Sequence, residues 1–365
     1  MKGGLFVVGL LVAALVGAVA ASTEAVRRPV VPAMFVLGDS TLDVGNNNHL
    51  PGKDVPRANQ PFYGVDFPGS AIATGRFSNG YNIADFIARY LGFEKSPLAY
   101  LVLKSRNYLI PSALTRGVSY ASAGAGILDS TSAGNSIPLS KQVRYFAATK
   151  AEMEAVAGRG NVSRLLARSF FLLGVGSNDL FQSTATTQGD VIALYTTLIS
   201  NYTAAINDLY VMGARKFGVI SVSPLGCVPA VRVLNVTGAC NDAMNQIAMG
   251  FTATLKSALA GLTPRLPGLA YSLGDSFAAL ETTFSNPQAA GYVSVDSACC
   301  GSGRLGAEGG YCTRNSKLCA DHDYVYWDWI HATQRAAELG AQALFNEGPA
   351  QVTAPISFGQ LAEER

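Results

Sequence analysis

The chain of 365 residues is poor in charge: Asp, Glu, Lys and Arg together make up 14% of it. The 27 basic and 25 acidic residues nearly cancel to a net +2, and no basic run goes beyond Arg27-Arg28. That excludes a basic face for nucleic acid. There are only three histidines, His49, His322 and His331, so imidazole chemistry has few places to occur. Cysteine is absent before Cys227, and none of the six forms a Cys-x-x-Cys pair. This leaves a zinc site with only His322 nearby and little to recommend it. There is no internal repeat and no low-complexity linker, so the region from about 30 to 350 reads as one domain.

What is abundant is apolar: 49% of residues are hydrophobic, ample for a sizeable core. Leu5 to Ala21 is uninterrupted apolar or glycine, preceded by Lys2 and ending in small residues. This is the form of a secretory signal over residues 1–21. An uncleaved anchor is the competing reading, since the run nears the lower limit for a membrane span. The cysteines, Cys227, Cys240, Cys299, Cys300, Cys312 and Cys319, are even in number and suit an oxidising compartment. Vicinal Cys299 and Cys300 are too constrained to bond each other. They reach separate partners, with Cys312 and Cys319 nearest, which leaves Cys227 for Cys240. Asn161-Val-Ser, Asn201-Tyr-Thr and Asn235-Val-Thr are glycosylation acceptors and agree with export.

Short apolar runs alternate with amphipathic ones. Residues 34–37, 118–121, 169–175, 217–222 and 269–273 read as buried strands, and 195–212, 241–262 and 332–345 as helices. Near-continuous apolar strands between helices imply a parallel sheet covered on both faces. Chemistry in such sheets gathers at the carboxyl ends of the strands. Those ends carry Gly38-Asp39-Ser40, Ser122 to Gly126, and Gly176-Ser-Asn178-Asp179.

A serine hydroxyl needs a base to become a nucleophile. His331 stands three residues after Asp328 in Trp327-Asp-Trp-Ile-His331, a spacing that places both side chains on one face of a helical turn. A carboxylate there fixes the imidazole tautomer. The bland alternative makes Asp328 a helix cap and His331 a packed surface residue. Ser40 ends an apolar strand, yet Gly38-Asp39-Ser40-Thr41-Leu42 lacks the second glycine of the Gly-x-Ser-x-Gly elbow, which argues against an ordinary α/β-hydrolase.

With these blocks in place the chain resembles the GDSL lipases and esterases of the SGNH hydrolase superfamily, in particular their plant branch. The resemblance runs from about Met34 to about Ala337. It is carried by Phe35-Val-Leu-Gly-Asp-Ser40-Thr-Leu-Asp-Val-Gly-Asn-Asn-Asn48, Phe67-Pro-Gly with Thr74-Gly-Arg-Phe-Ser-Asn-Gly80 and Asn82-Ile-Ala-Asp-Phe86, Gly117 to Gly126, Gly176-Ser-Asn-Asp179 and Trp327 to His331. It implies α/β architecture: a three-layer α/β/α sandwich with a central, mostly parallel sheet, flavodoxin-like.

The resemblance also implies a secreted serine esterase or lipase that works through an acyl-enzyme with no cofactor and no metal. The nucleophile falls on Ser40, its partners on Asp328 and His331, and the oxyanion donors on the Ser40 and Gly124 backbone and the Asn178 side chain. Asp43, Asn46 and Asn79 are expected to shape loops. Ser119, Ala123, Ala332 and Gln334 depart from the plant pattern and bear on local loop geometry. Substrates open on this reading are lipid (fatty-acyl), cutin-type, acetylated wall-polysaccharide or small aromatic esters; Phe62, Phe67 and Leu180 are weak candidates for an acyl site, with core or loop packing the preferred reading. The same residues would serve an acyltransferase to a cutin monomer or other lipid. A catalytically silent binding or defence protein would show a missing triad or oxyanion residue, and none is missing.

Overall fold

A computed structural model describes residues 29–69, 73–346 and 351–364; the expected signal segment, 1–21, lies outside them. Five strands make the parallel part of the main sheet: β1 (Met34–Gly38), β2 (Gly117–Ser119), β3 (Phe170–Gly174), β4 (Lys216–Ile220) and β5 (Ala270–Gly274). Four short strands follow and form two small sheets, β6 (Ser294–Ala298) with β9 (Tyr324–Tyr326) and β7 (Cys300–Gly301) with β8 (Lys317–Leu318). The last, β10 (Thr353–Ala354), returns to the main sheet antiparallel to β5. The main order is β2-β1-β3-β4-β5-β10. The first five strands thus follow the flavodoxin-like order, in which the chain reverses direction between β1 and β3 and leaves a crevice at their carboxyl ends.

The α/β sandwich follows from where the side chains go. Along β1, Phe35 and Leu37 join one apolar cluster with Phe171, Leu173, Leu198 and Phe251. Met34 and Val36 join the other, with Phe170, Leu172, Ile87 and Leu344. Alternate residues point to opposite faces of a strand, and both faces are covered by helices, so the strand sequence is apolar throughout. Helices Leu139–Ala157, Gln188–Val211 and Asp242–Leu262 cover the first face; Ile83–Tyr90, Gln334–Phe345 and Phe358–Glu363 cover the second.

The expected elements lie where read, with shifted ends. The helix expected over 195–212 begins earlier, at Gln188, because Thr187 and Asp190 form a reciprocal capping box. The one expected from 332 begins at Gln334, capped by Thr333, whose side chain accepts from Ala336 N–H. Leu139–Ala157 and Arg159–Arg168 are helices that the periodicity did not announce. The sheet also continues past residue 350, through β10.

The cysteines pair as Cys227–Cys240, Cys299–Cys319 and Cys300–Cys312, so the vicinal pair does reach separate partners. Cys299, Cys319 and His322 lie close together, but both sulfurs are spent on the disulfide and offer no thiolate to a metal. Asn161, Asn201 and Asn235 are all exposed. No helix among the described residues is long and apolar enough to cross a membrane.

Candidate active site

The turn after β1 places Ser40. Asp39 N–H donates to Gly174 O at 3.0 Å, which ties the turn to β3. The Asp39 side chain accepts from Thr41 N–H at 3.0 Å and from the Thr41 hydroxyl at 2.8 Å. The approach of β1 to β3 needs glycine: a Cβ on Gly38 would lie 2.4 Å from Gly174 O and 2.7 Å from Leu42 Cδ1. Residues 40–42 form a turn rather than the start of a helix, and Ser40 is half exposed there beside a buried Asp39. Burial pushes the Asp39 carboxyl up to about 6 against the bonds from Thr41.

A second buried carboxylate joins that turn to the segment before Gly124. Asp43 accepts N–H groups from Gly45 (2.7 Å), Asn46 (2.8 Å), Asn47 (3.3 Å) and, across the crevice, Ala123 (3.1 Å). Burial raises it to about 6 as well, opposed by these donors. Asn46 Nδ2 donates to the carbonyls of Ser119 and Ala121 at 2.9 and 2.8 Å. This gives the edge of β2 the partners an adjacent strand would provide. Asn47 Nδ2 donates to Ala123 O at 2.8 Å. Gly124 follows at φ +80°, the left-handed region open to glycine.

Asn178 lies on the short helix Ser177–Phe181, entered through Gly176 at φ +134°. Its Nδ2 donates to Ala125 O at 2.9 Å, and a primary amide keeps a second N–H for another acceptor. Asp179 beside it accepts from Ile127 N–H (2.8 Å), Leu128 N–H (3.1 Å) and the Thr131 hydroxyl (2.7 Å), locking the Asn178 turn to the Gly124 loop.

The Asp328–His331 spacing was expected on a helical turn and is not. It occupies a chain reversal after β9, closed by Trp327 N–H to His331 O at 2.7 Å and by bridging of Tyr326 with Ala332. Asp328 Oδ1 accepts from Ile330 N–H (3.0 Å) and His331 N–H (2.9 Å), so the carboxylate holds the turn by a side-chain to main-chain bond. The i,i+3 proximity survives because this turn also brings the two side chains together. The helix cap nearby is Thr333, not Asp328.

His331 Nδ1 lies 2.8 and 2.9 Å from the two carboxylate oxygens. Both residues are buried, Asp328 fully. Burial raises the Asp328 carboxyl, but the neighbouring His331 charge and the bonds from His331, Tyr63 and Ile330 outweigh it, and it lies below the usual carboxylate range. The His331 ring is flanked by Phe77, with centroids 4.8 Å apart, and by Tyr311 at 6.0 Å.

Ser40 and His331 line one cavity of about 200 Å³. Gly124 and Asn178 line the adjoining groove with Tyr311 and Trp329, and Ile330 belongs to both walls. Asn79 sits behind the site: its Oδ1 accepts from Gln334 N–H at 2.7 Å and its Nδ2 donates to Asp66 at 2.6 Å, where His322 also binds. Gln334, one of the departures from the plant pattern, accepts from Tyr81 N–H at 2.8 Å. Phe62, Phe67 and Leu180 pack into the apolar clusters and line neither space. Tyr63, whose hydroxyl donates to Asp328 Oδ2 at 2.6 Å, was missed; it has no local pattern to mark it.

The profile of the GDSL-like lipase/acylhydrolase family matches residues 34–344. The chain is 33% identical to one GDSL esterase/lipase of Arabidopsis thaliana over 92% of this chain and 96% of that protein. A second from the same plant is 36% identical over 91% and 89%. Among solved structures, a catalytic mutant of the acetylxylan esterase Axe2 from Geobacillus stearothermophilus aligns at 11% identity with a TM-score of 0.34, over 85% of this chain and 91% of that one. That likeness is too distant to bear on substrate. The chain belongs to the GDSL-like lipase/acylhydrolase family, and is a carboxylic ester hydrolase.

Proposed function

We propose that the chain hydrolyses carboxylic esters by a Ser40 acyl-enzyme, with His331 as general base and acid and Asp328 holding the imidazole. The observation that carries this is the pairing of His331 Nδ1 with the buried Asp328 carboxylate, held below its usual range, while the His331 ring lines a cavity shared with Ser40. The bond at Nδ1 keeps the proton there, so Nε2 is free to accept the Ser40 proton. Ser40 Oγ attacks the carbonyl carbon. Negative charge developing on the carbonyl oxygen is met by the Ser40 and Gly124 N–H groups and the remaining Asn178 amide N–H. His331 then protonates the departing alcohol, and water enters by the same route to release the acid.

The expected export signal over residues 1–21, the three disulfides and the exposed acceptors Asn161, Asn201 and Asn235 support an extracellular, glycosylated enzyme. Purified native chain and its Ser40→Ala variant, assayed on p-nitrophenyl butyrate, test the catalytic assignment. The variant is expected to lose turnover by at least a thousandfold; unchanged turnover would overturn it. A folded native chain that turns over no ester and fails to react with a fluorophosphonate would indicate a binding protein instead.

A further inference from the structure

The three acceptor asparagines stand in different surroundings. Transfer of an oligosaccharide to Asn-x-Ser/Thr needs a free side-chain amide and a triplet bent so that the hydroxyl at i+2 lies beside it. A helix provides neither, because positions i and i+2 do not face each other on its surface. Asn161 lies in the helix Arg159–Arg168, where its Nδ2 donates to Ala157 O at 2.8 Å and its Oδ1 accepts from Arg164. Asn201 lies within Gln188–Val211. Its Nδ2 donates to Thr197 O at 2.9 Å, and the Thr203 hydroxyl turns back to donate to Ile199 O at 2.8 Å.

Asn235 stands outside any helix, in the loop after Pro229–Arg232 that the Cys227–Cys240 disulfide closes. Its Oδ1 accepts from the Thr237 hydroxyl at 3.0 Å and from Thr237 N–H at 3.1 Å, so carboxamide and hydroxyl already lie side by side. Among the described residues no hydrogen bond engages its Nδ2. The loop is held from outside: Arg304 donates to Val233 O at 3.2 Å and to Val236 O at 2.7 Å, and Arg232 to Gly238 O at 3.0 Å. On either side of Asn235, Leu234 is 82% exposed and Val236 91%, the two most exposed large hydrophobic residues among those described. Leu234 also lines the groove that Gly124 and Asn178 share. One exposed apolar residue needs no explanation. Two that flank an acceptor on a braced tip match a bulky, solubilising cover.

We propose that Asn235 is the acceptor of the three that carries a glycan, and that this glycan covers Leu234 and Val236 at the rim of the groove and keeps the tip off lipid surfaces. This rests on the extracellular reading of the chain. In the transfer step Asn235 Nδ2 forms a bond to the anomeric carbon of a diphosphate-activated, lipid-linked oligosaccharide. The bond from that carbon to the diphosphate oxygen breaks and its electron pair leaves with the diphosphate, while one amide proton is lost to the transferase. The carboxamide oxygen is untouched, so the two bonds from Thr237 persist and hold the first sugar over the flanking side chains.

The test expresses the chain in insect cells, once with its own residues 1–21 and once with a proven foreign secretion signal in their place. Peptide N-glycosidase in heavy-oxygen water converts each occupied asparagine to a labelled aspartate, which mass spectrometry of the peptides counts. Asn235 is expected to be occupied at least fivefold more often than Asn161 or Asn201. Equal or lower occupancy at Asn235 in secreted chain, or none, would overturn the proposal. Secretion by the foreign signal alone would overturn the extracellular reading without touching that count. For the cover, Asn235→Gln and Thr237→Ala each remove the acceptor, and enzymatic removal of the glycan from folded native chain needs no variant. Each is expected to raise the fraction bound to phosphatidylcholine vesicles at least threefold, and Leu234→Ser with Val236→Thr to return it to the native value. Unchanged binding after the glycan is removed would overturn the cover. So would a native glycoprotein that binds vesicles and ceases to on Leu234→Ser, since the tip would then be a lipid-docking loop.

Discussion

The Tyr63 hydroxyl donates to Asp328 Oδ2 at 2.6 Å across 265 positions of sequence, and itself accepts from Cys312 N–H at 3.2 Å. Asp328 Oδ1 is held by the turn and Oδ2 by Tyr63, so the carboxylate presented to His331 has no freedom to rotate. Burial first, and then the Asp328 charge, push the Tyr63 phenol well above its ordinary value, which keeps it neutral and a donor. Tyr63 is a positioning residue, acting through Asp328.

Tyr63→Phe leaves the Cys312 N–H and one Asp328 lone pair unsatisfied in a buried place. The expected cost in stability is about 1–3 kcal/mol. Steady-state kinetics should show kcat down on the order of tenfold, with KM changed by less than about twofold, because substrate binding is untouched and imidazole alignment is lost. A fall in melting temperature with unaltered kcat would make the tyrosine merely structural.

The Cys300–Cys312 disulfide anchors the N–H that binds Tyr63. Cys300→Ser combined with Cys312→Ser should reduce kcat in the same direction as Tyr63→Phe. The triple variant should fall short of the product of the two effects, since both act through one carboxylate. A fully multiplicative loss in the double-mutant cycle would separate the disulfide from the catalytic residues.

Asn178→Asp is nearly isosteric but replaces an N–H donor with an acceptor. Where negative charge develops in the transition state, kcat should fall by roughly 10²–10³. KM should move little. Near-native kcat would remove Asn178 from the oxyanion site.

Asp39 and Asp43 are both raised to about 6 from an ordinary 3.8 by burial. Between about 4 and 6 the folded chain therefore binds more protons than the unfolded one, and stability from these groups rises as pH falls through that window. The raised values correspond to about 3 kcal/mol per carboxyl. Asp328, lowered instead, acts oppositely and only below its usual range. Melting should thus occur at a higher temperature at pH 5 than at pH 7.5. Asp39→Asn, which keeps the oxygen that accepts from Thr41, should remove about half of the difference. No difference in the native chain would contradict the raised values.

Much of this was legible in the sequence, for reasons that are physical. The strands of a sheet covered on both sides are largely apolar, so Met34–Gly38 and Phe170–Gly174 stand out, and the candidate site residues were sought where such strands end. Leu139–Ala157 did not stand out, because buried Gln142 and Thr149 interrupt its apolar stripe of Leu139, Val143, Phe146 and Met153. Gln142 is buried for a reason invisible locally: its amide exchanges bonds with Gly38 N–H and O, both at 2.8 Å, beneath the Ser40 turn. The Asp328–His331 pair was read correctly as a pair and wrongly as helical, since both a helical turn and a reversal closed by an aspartate bring i and i+3 together. Tyr63 and the cavity walls were not legible, as they are contacts between remote segments.

The most direct measurement is of the covalent intermediate itself. The purified chain, mixed with p-nitrophenyl butyrate and quenched in acid within the first turnover, is digested and examined by mass spectrometry. A butyryl group on the peptide that contains Ser40, absent from Ser40→Ala and accumulating in Asp328→Asn, is the result predicted here. Butyrate released at an undiminished rate with no adduct on Ser40, or an adduct on another residue, would contradict it.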